Sequence, residues 1–84
     1  YPNPFNPETK IDYEIYTDSF VELSIYNIQG QLVSNLVSTN QIAGSYNSVW
    51  NAKDGNGVDV ASGVYLMQLK ANNEVITNKI TLLR

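Results

Sequence analysis

The sequence predicts an all-β domain, a sandwich of about seven short antiparallel strands. Three observations predict it: apolar and polar residues alternate along most of the chain, turn-forming residues recur every 8 to 12 residues or so, and no stretch has a convincing helical period. The 84 residues are enough for one domain with a modest core. Because a single sheet could not bury the apolar side chains, two packed sheets are expected.

All three prolines lie in the opening stretch YPNPFNP, and none follows it. Proline fixes φ, has no N–H to donate and favours extended geometry in the residue before it. We therefore predict that residues 1–8 form an extended entry segment and that the domain proper spans residues 9–84. Because Tyr1 is not an initiator residue, the sequence is expected to be part of a longer protein.

Alternation predicts two strands after this segment, separated by a polar turn at residues 17–19. The residues expected to face the core are Ile11, Tyr13 and Ile15 in the first strand and Val21, Leu23 and Ile25 in the second. The second strand is expected to end at a turn containing Gly30. Residues 31–37 also fit a helical turn, but their short length and β-branched content favour a strand with a bulge.

A polar loop is predicted at residues 38–44, followed by a strand in which Tyr46, Ser48 and Trp50 share one face. Trp50 is the expected anchor of the core. Residues 51–63 contain Asp-Gly and Asn-Gly pairs, which favour tight turns.

Two longer strands complete the domain, joined by a hairpin turn at Asn72 and Asn73. In the first of these strands, Tyr65, Met67 and Leu69 are expected to share one face. In the second, Ile76, Ile80 and Leu82 are expected to share one face, with Lys79 and Thr81 on the other. The final strand keeps its alternation to the last residues, so the chain is expected to end inside the sheet.

Composition argues against several classes of function. Without cysteine or histidine, the chain has no disulfide, no thiolate zinc site and no imidazole to act as a general base. A net charge of −3, with five basic residues spread along the chain, is not typical of a nucleic-acid-binding protein. No apolar run approaches the roughly 18 residues of a membrane-spanning helix. We expect a soluble domain that is not an enzyme.

Two acidic clusters could carry chemistry. Asp12 and Glu14 lie about 7 Å apart on one strand face, a separation that suits paired catalytic carboxylates. Their alternation with apolar residues favours the solvated side of a strand instead. Asp54, Asn56 and Asp59 offer oxygen donors without EF-hand spacing, so a hairpin turn is expected there and a weak cation site is the alternative.

Aromatic residues suggest one further alternative, a carbohydrate-binding module, because exposed rings can stack on sugars. Tyr13, Trp50 and Tyr65 fall on apolar strand faces. Only Tyr1, Tyr16 and Tyr26 are expected to be exposed, at strand ends.

Four stretches of the sequence together resemble one family. They are YPNPFNPETKIDYEI, VELSIYNIQGQLVSNLV, AGSYNSVWNAKDGNGVDVASGVYLMQL and NKITLLR. The pattern closely resembles the type A C-terminal sorting domain of the type IX secretion system, which is related to the Ig-like domain of the flagellar hook-capping protein. The resemblance covers essentially the whole chain.

The resemblance implies an Ig-like β-sandwich at the C-terminus of a larger exported protein of the Bacteroidetes and their relatives. Such a domain carries no catalysis and needs no cofactor. Its cargo passes through the periplasm and the outer membrane to become secreted or bound to the cell surface. The implied partners are the secretion machinery and a sortase-like peptidase, which often removes the domain and attaches the cargo to lipopolysaccharide. A monomer that binds no nucleic acid is expected.

Within this interpretation, residues 1–8 are the junction between cargo and domain, where a stiff extended chain gives a peptidase access. The residues expected to be recognised by the machinery are Gly63, Lys79, Leu82, Leu83 and Arg84. Recognition by strand pairing is one possible mode. The alternative function is a carbohydrate-binding or spacer module of a secreted hydrolase.

Overall fold

The computed structural model, which describes residues 7–84, is an antiparallel β-sandwich with six strands in that range. The strands are β1 (Thr9–Ile15), β2 (Ser19–Asn27), β3 (Leu32–Gln41), β4 (Gly44–Trp50), β5 (Gly63–Ala71) and β6 (Glu74–Leu82). The predicted all-β sandwich is confirmed, with six strands in place of about seven. The entry segment is predicted at residues 1–8. Its first six residues lie outside the described range, which includes only Pro7 and Glu8 of the segment.

The strands form two antiparallel sheets of unequal size. β1 pairs with β4, and the larger sheet has the order β3-β2-β5-β6. β4 approaches β3, its neighbour along the chain.

The core lies between the two sheets and is built by the alternation seen in the sequence. Its buried apolar residues are Ile11, Ile15, Val21, Leu23, Ile25, Trp50, Ala52, Tyr65, Met67, Leu69 and Leu82. Removing a large apolar side chain of this kind from water contributes about 1.5–3 kcal/mol. Among the residues on the predicted apolar strand faces, Tyr13 and Ile80 are only half-buried, and Ile76 is 49% exposed. Ile76 lies on the predicted apolar face of β6, but none of the strands described covers that part of β6.

Trp50 and Tyr65 form the centre of this core. The Trp50 side chain packs edge-on against the Tyr65 ring, with ring centroids 5.2 Å apart, and its Nε1–H donates to the Lys53 carbonyl oxygen. The Tyr65 hydroxyl donates a 2.7 Å hydrogen bond to the carbonyl oxygen of Ala61. A tyrosine near a strand start that bonds back to an upstream carbonyl is a tyrosine corner, a feature of Ig-like sandwiches.

β3 is an edge strand with two bulges. Its register against β2 shifts twice, which leaves Leu36 and Val33 without a direct partner. Both residues are half-buried and pack against the core. The bulges allow neighbouring apolar residues to turn inward on one strand, and the predicted strand with a bulge is confirmed.

The prediction of a polar loop at residues 38–44 is wrong. β3 continues to Gln41, and only two residues, Ile42 and Ala43, separate it from β4. The side chains at residues 38–40 are exposed, so polar residues are tolerated on both faces of this edge strand.

The hairpin predicted between the last two strands is present. Asn72 and Asn73 both have positive φ angles, 53° and 64°. Two successive left-handed residues form the tight turn that matches strand twist, and asparagine is among the few side chains that adopt this conformation readily.

Candidate recognition surface at the chain end

The residues predicted as a recognition site fall into a buried part and an exposed part. Gly63, the first residue of β5, pairs directly with Leu82, the last residue of β6. The Leu82 side chain is only 3% exposed and belongs to the core, whereas Leu83, the next residue, is 77% exposed. The two leucines therefore have different roles: one anchors the strand and the other is presented to solvent.

Arg84 ties the end of the chain to the loop before β5. Its backbone N–H donates to the Ser62 hydroxyl at 2.9 Å. Its guanidinium donates to the carbonyl oxygens of Ala52 and Val60, at 2.7 and 2.5 Å. A planar guanidinium with five donors can satisfy several acceptors at once. Arg84 therefore holds the strand end in place through main-chain contacts.

A small charge cluster surrounds this attachment. The Asp59 carboxylate accepts a 2.7 Å hydrogen bond from the Lys53 ammonium and lies 3.5 Å from the Arg84 guanidinium. The hydrogen bond and charge of Lys53, with the charge of Arg84, hold the pKa of Asp59 below its ordinary value of 3.8. Since Asp59 is exposed, solvent screens these interactions.

Lys79 lies apart from the strand end, on the outer face of the larger sheet. It is exposed and pairs in register with Leu66 of β5. Tyr26 and Leu32 continue the same row across the sheet. The structure thus brings Gly63, Leu82 and Arg84 together and places Lys79 on a neighbouring surface.

Several residues of this site were not predicted. Ala52 and Val60 contribute main-chain carbonyl oxygens, which every residue type carries, so no sequence pattern could single them out. The sequence pattern indicates Asp59 only as a candidate cation ligand. Its spacing of six residues from Lys53, bridged by a tight turn, is the one signal that could have indicated the ion pair.

In the loop proposed as a weak cation site, the carboxylate oxygens of Asp54 and Asp59 bind groups of the protein itself. One Asp54 carboxylate oxygen accepts hydrogen bonds from the backbone N–H groups of Asn56 and Val58. Asp59 faces Lys53 and Arg84, as described above. In the described part of the chain, no group of three or more acidic, cysteine or histidine residues is placed to hold a metal ion. The loop forms the tight turn that the sequence predicts.

The acidic pair and the tyrosines do not converge on a site. Asp12 and Glu14 are both exposed on the outer face of β1. Tyr16 is 82% exposed next to the end of β1, whereas Tyr26 is half-buried at the opposite end of the sandwich. Tyr1 lies outside the described residues. In residues 7–84, the rings suggested for sugar stacking therefore do not form a common platform.

No helix with the length and apolar character needed to span a membrane occurs in the range that the structure covers.

Comparison with known proteins gives one family and one fold. The family described as "Secretion system C-terminal sorting domain" matches residues 1–82. Among solved structures, the crystal structure of FlgD from P. aeruginosa is similar, with a TM-score of 0.70 and 20% sequence identity. The match covers 92% of this chain but only 62% of that one, and at this identity it concerns the fold alone. No curated protein matches the chain.

Proposed function

The chain belongs to the family of secretion system C-terminal sorting domains, and on this premise we propose that it acts, without catalysis, as the sorting signal of a cargo protein joined to its N-terminal side. Family membership implies a sorting signal of the type IX secretion system and a secreted or cell-surface protein. The observation that carries the proposal is the extent of the match, residues 1–82 of 84. The family match thus covers nearly the whole of the given sequence.

The proposed contacts with the secretion machinery are the exposed side chains near the end of the chain. Leu83 offers an apolar side chain that is 77% exposed, and Lys79 offers a positive charge on the adjoining sheet face. An exposed apolar side chain and an exposed charge are both suitable contacts for a protein partner.

In this proposal, the other predicted residues, Gly63, Leu82 and Arg84, hold the strand end that carries the exposed side chains. Leu82 anchors β6 in the core, and Gly63 pairs with it at the start of β5. Arg84 fixes the strand end to the Ala52 and Val60 carbonyls. These residues give the exposed side chains a defined position without themselves requiring contact with a partner.

We further propose that a sortase-like peptidase of the same secretion route cleaves within residues 1–8 and attaches the released cargo to the cell surface. This segment precedes β1, which begins at Thr9. A cut there would release the cargo without breaking any of the six strands.

The test uses a fluorescent protein carrying a signal peptide and fused to residues 1–84, produced in a host that has the type IX route. We expect the fusion outside the cell, and periplasmic retention in that host would contradict the proposal. The same fusion in a strain lacking a functional secretion machinery should stay in the periplasm.

The contact residues are tested with matched variants of this fusion. Lys79→Ala and Leu83→Ser should reduce export while leaving the thermal unfolding midpoint of the isolated domain unchanged. Their controls are Lys70→Ala, another exposed lysine of the larger sheet, and Ile42→Ser, whose side chain is 71% exposed between β3 and β4. Equal export of all four variants would show that recognition lies elsewhere.

A further inference from the structure

The outer face of the larger sheet carries an apolar patch at the end of the sheet that contains Leu82. Its members share this face because they are directly opposed across neighbouring strands or alternate along one strand. The patch consists of Leu32 of β3, Tyr26 of β2, and Val64 and Leu66 of β5. Leu32 and Val64 are exposed, whereas Tyr26 and Leu66 are half-buried. Tyr26 and Leu66 also line a depression of about 250 Å³.

The rest of this face is polar, as expected of a strand face in contact with water. The row next to the patch, read across the four strands, consists of Asn35, Ser24, Gln68 and Thr77. In the row after it, Glu22 lies directly opposite Lys70. Phe20 and Val75 are exposed farther along the face, but each is opposed in register by a polar residue. Within the described residues, apolar neighbours on this face therefore cluster at the patch.

The patch is continuous with the contacts proposed above for the secretion machinery. Lys79 completes the row of Leu66, because the two residues are directly opposed. Thr81 is directly opposite Val64, and the exposed Leu83 follows Thr81 by two positions. The patch therefore adjoins both Lys79 and the strand end that carries Leu83.

We propose that the patch is a contact surface for the secretion machinery and that the partner presents apolar side chains together with a carboxylate that faces Lys79. This inference rests on the proposed sorting function and extends its contacts beyond Leu83 and Lys79. An exposed apolar patch with a polar rim is typical of a protein-binding site. Tyrosine, here represented by Tyr26, is enriched among the residues that dominate binding.

Charge complementarity indicates which kind of partner fits the patch. Lys79 is the one charged side chain in the described rows that contain the patch, and it forms no ion pair with a carboxylate of residues 7–84. A carboxylate on the partner would be attracted to this lysine, and a basic residue would be repelled. A second copy of the domain offers no carboxylate in its own patch rows, and each copy has a net charge of −3. A different protein with an acidic and apolar surface therefore fits better than a second copy.

Matched double variants of the fluorescent fusion test the patch. Leu32→Ser with Val64→Thr removes apolar groups from the patch. Phe20→Ser with Val75→Thr makes comparable changes at exposed positions of the same face outside the patch. We expect the patch variant to reduce export by at least about fivefold, while the control variant is exported like the unsubstituted fusion. The thermal unfolding midpoints of the two substituted domains should be similar, because all four positions are exposed.

Substitutions of Lys79 test the charge of the partner. Lys79→Arg keeps the positive charge and should preserve export. Lys79→Glu should reduce export more than Lys79→Ala, because it places a negative charge opposite the partner carboxylate. Equal export of the arginine and glutamate variants would overturn the proposal. Because Lys79 is exposed, these variants decide the question even if the double patch variant does not fold.

The outcomes separate this inference from the sorting function. Periplasmic retention of the unsubstituted fusion would contradict both. Export of the unsubstituted fusion, with equal export of the two double variants, would overturn the patch alone. Sedimentation of the 84-residue chain tests the other occupant: a dimer that the patch variant loses and the control variant keeps would assign the patch to a second copy and overturn the proposal.

Discussion

The guanidinium of Arg84 donates a 2.7 Å hydrogen bond to the carbonyl oxygen of Ala52, 32 positions earlier in the chain. This contact joins the residue two positions after the end of β6 to Ala52, which lies two positions after the core residue Trp50. Ala52 is fully buried, and its carbonyl oxygen also accepts a 3.0 Å hydrogen bond from the backbone N–H of Val60. The end of the chain is therefore docked against a buried residue of the core.

Replacing Arg84 tests this docking. Arg84→Ala should lower the free energy of unfolding by about 1–2 kcal/mol, because charge-assisted hydrogen bonds to two carbonyl oxygens are lost. Arg84→Lys keeps the charge but not the planar fork, so it should recover only part of the loss. Chemical denaturation measures both, with Lys79→Ala as the exposed control. An effect of Arg84→Ala no larger than that of the control would refute the docking role.

The tyrosine corner gives a second prediction. Tyr65→Phe should cost about 1 kcal/mol, because the hydroxyl donates to the Ala61 carbonyl from a ring that is only 8% exposed. Tyr46→Phe is the matched control: its hydroxyl donates to the Ile42 carbonyl, but this bond is exposed and water can replace it. Urea unfolding of the two variants should separate them. Equal losses of unfolding free energy in the two variants would mean that burial does not strengthen the Tyr65 hydrogen bond.

The hairpin between β5 and β6 predicts that stability depends on which residue type occupies position 73. Asn73→Val should destabilise the domain by about 1–2 kcal/mol, since a β-branched side chain resists the left-handed conformation. Asn73→Gly should be neutral or slightly stabilising, because glycine adopts positive φ without strain. Thr77→Val introduces the same side chain at an exposed strand position of β6 and should be tolerated. Thermal unfolding of the three variants gives the comparison.

The charge cluster at Asp59 predicts a pH dependence. The pKa of Asp59 is lowered in the folded state, so its contribution to stability is complete above the ordinary value of 3.8 and is lost as the pH falls through the lower, folded pKa. The difference in unfolding midpoint between the natural protein and Asp59→Asn should be present at neutral pH and should vanish in stronger acid. High salt should also reduce it. A difference that persists unchanged in acid would exclude the carboxylate charge as its cause.

Much of the fold was predictable because alternation reports directly on which face of a strand is buried. Val21, Leu23 and Ile25 were assigned to the core and are fully buried. Alternation does not report whether a second sheet lies above that face. Ile76 shares its face with buried Leu69, yet the smaller sheet does not extend over it.

The site was less predictable than the fold, for a physical reason. The exposure of Leu83 and the burial of Leu82 follow from strand period, and both could be expected from the sequence alone. The contacts of Arg84 are made to main-chain oxygens of residues 52 and 60, and their approach depends on how the loop before β5 folds. Local sequence patterns carry no information about such an approach.

The two edges of the larger sheet differ in a way that limits lateral growth. β6 pairs with β5 without a register shift, so its nine residues keep a regular spacing of hydrogen-bonding groups. β3 is interrupted at Val33 and Leu36, and its outward groups are irregularly spaced. For copies of the domain to join side by side into one continuous sheet, the β3 edge of each copy would have to pair with β6 or β3 of a neighbour. Because the β3 edge is irregular, the larger sheet resists fibre-like polymerisation even though the β6 edge is regular.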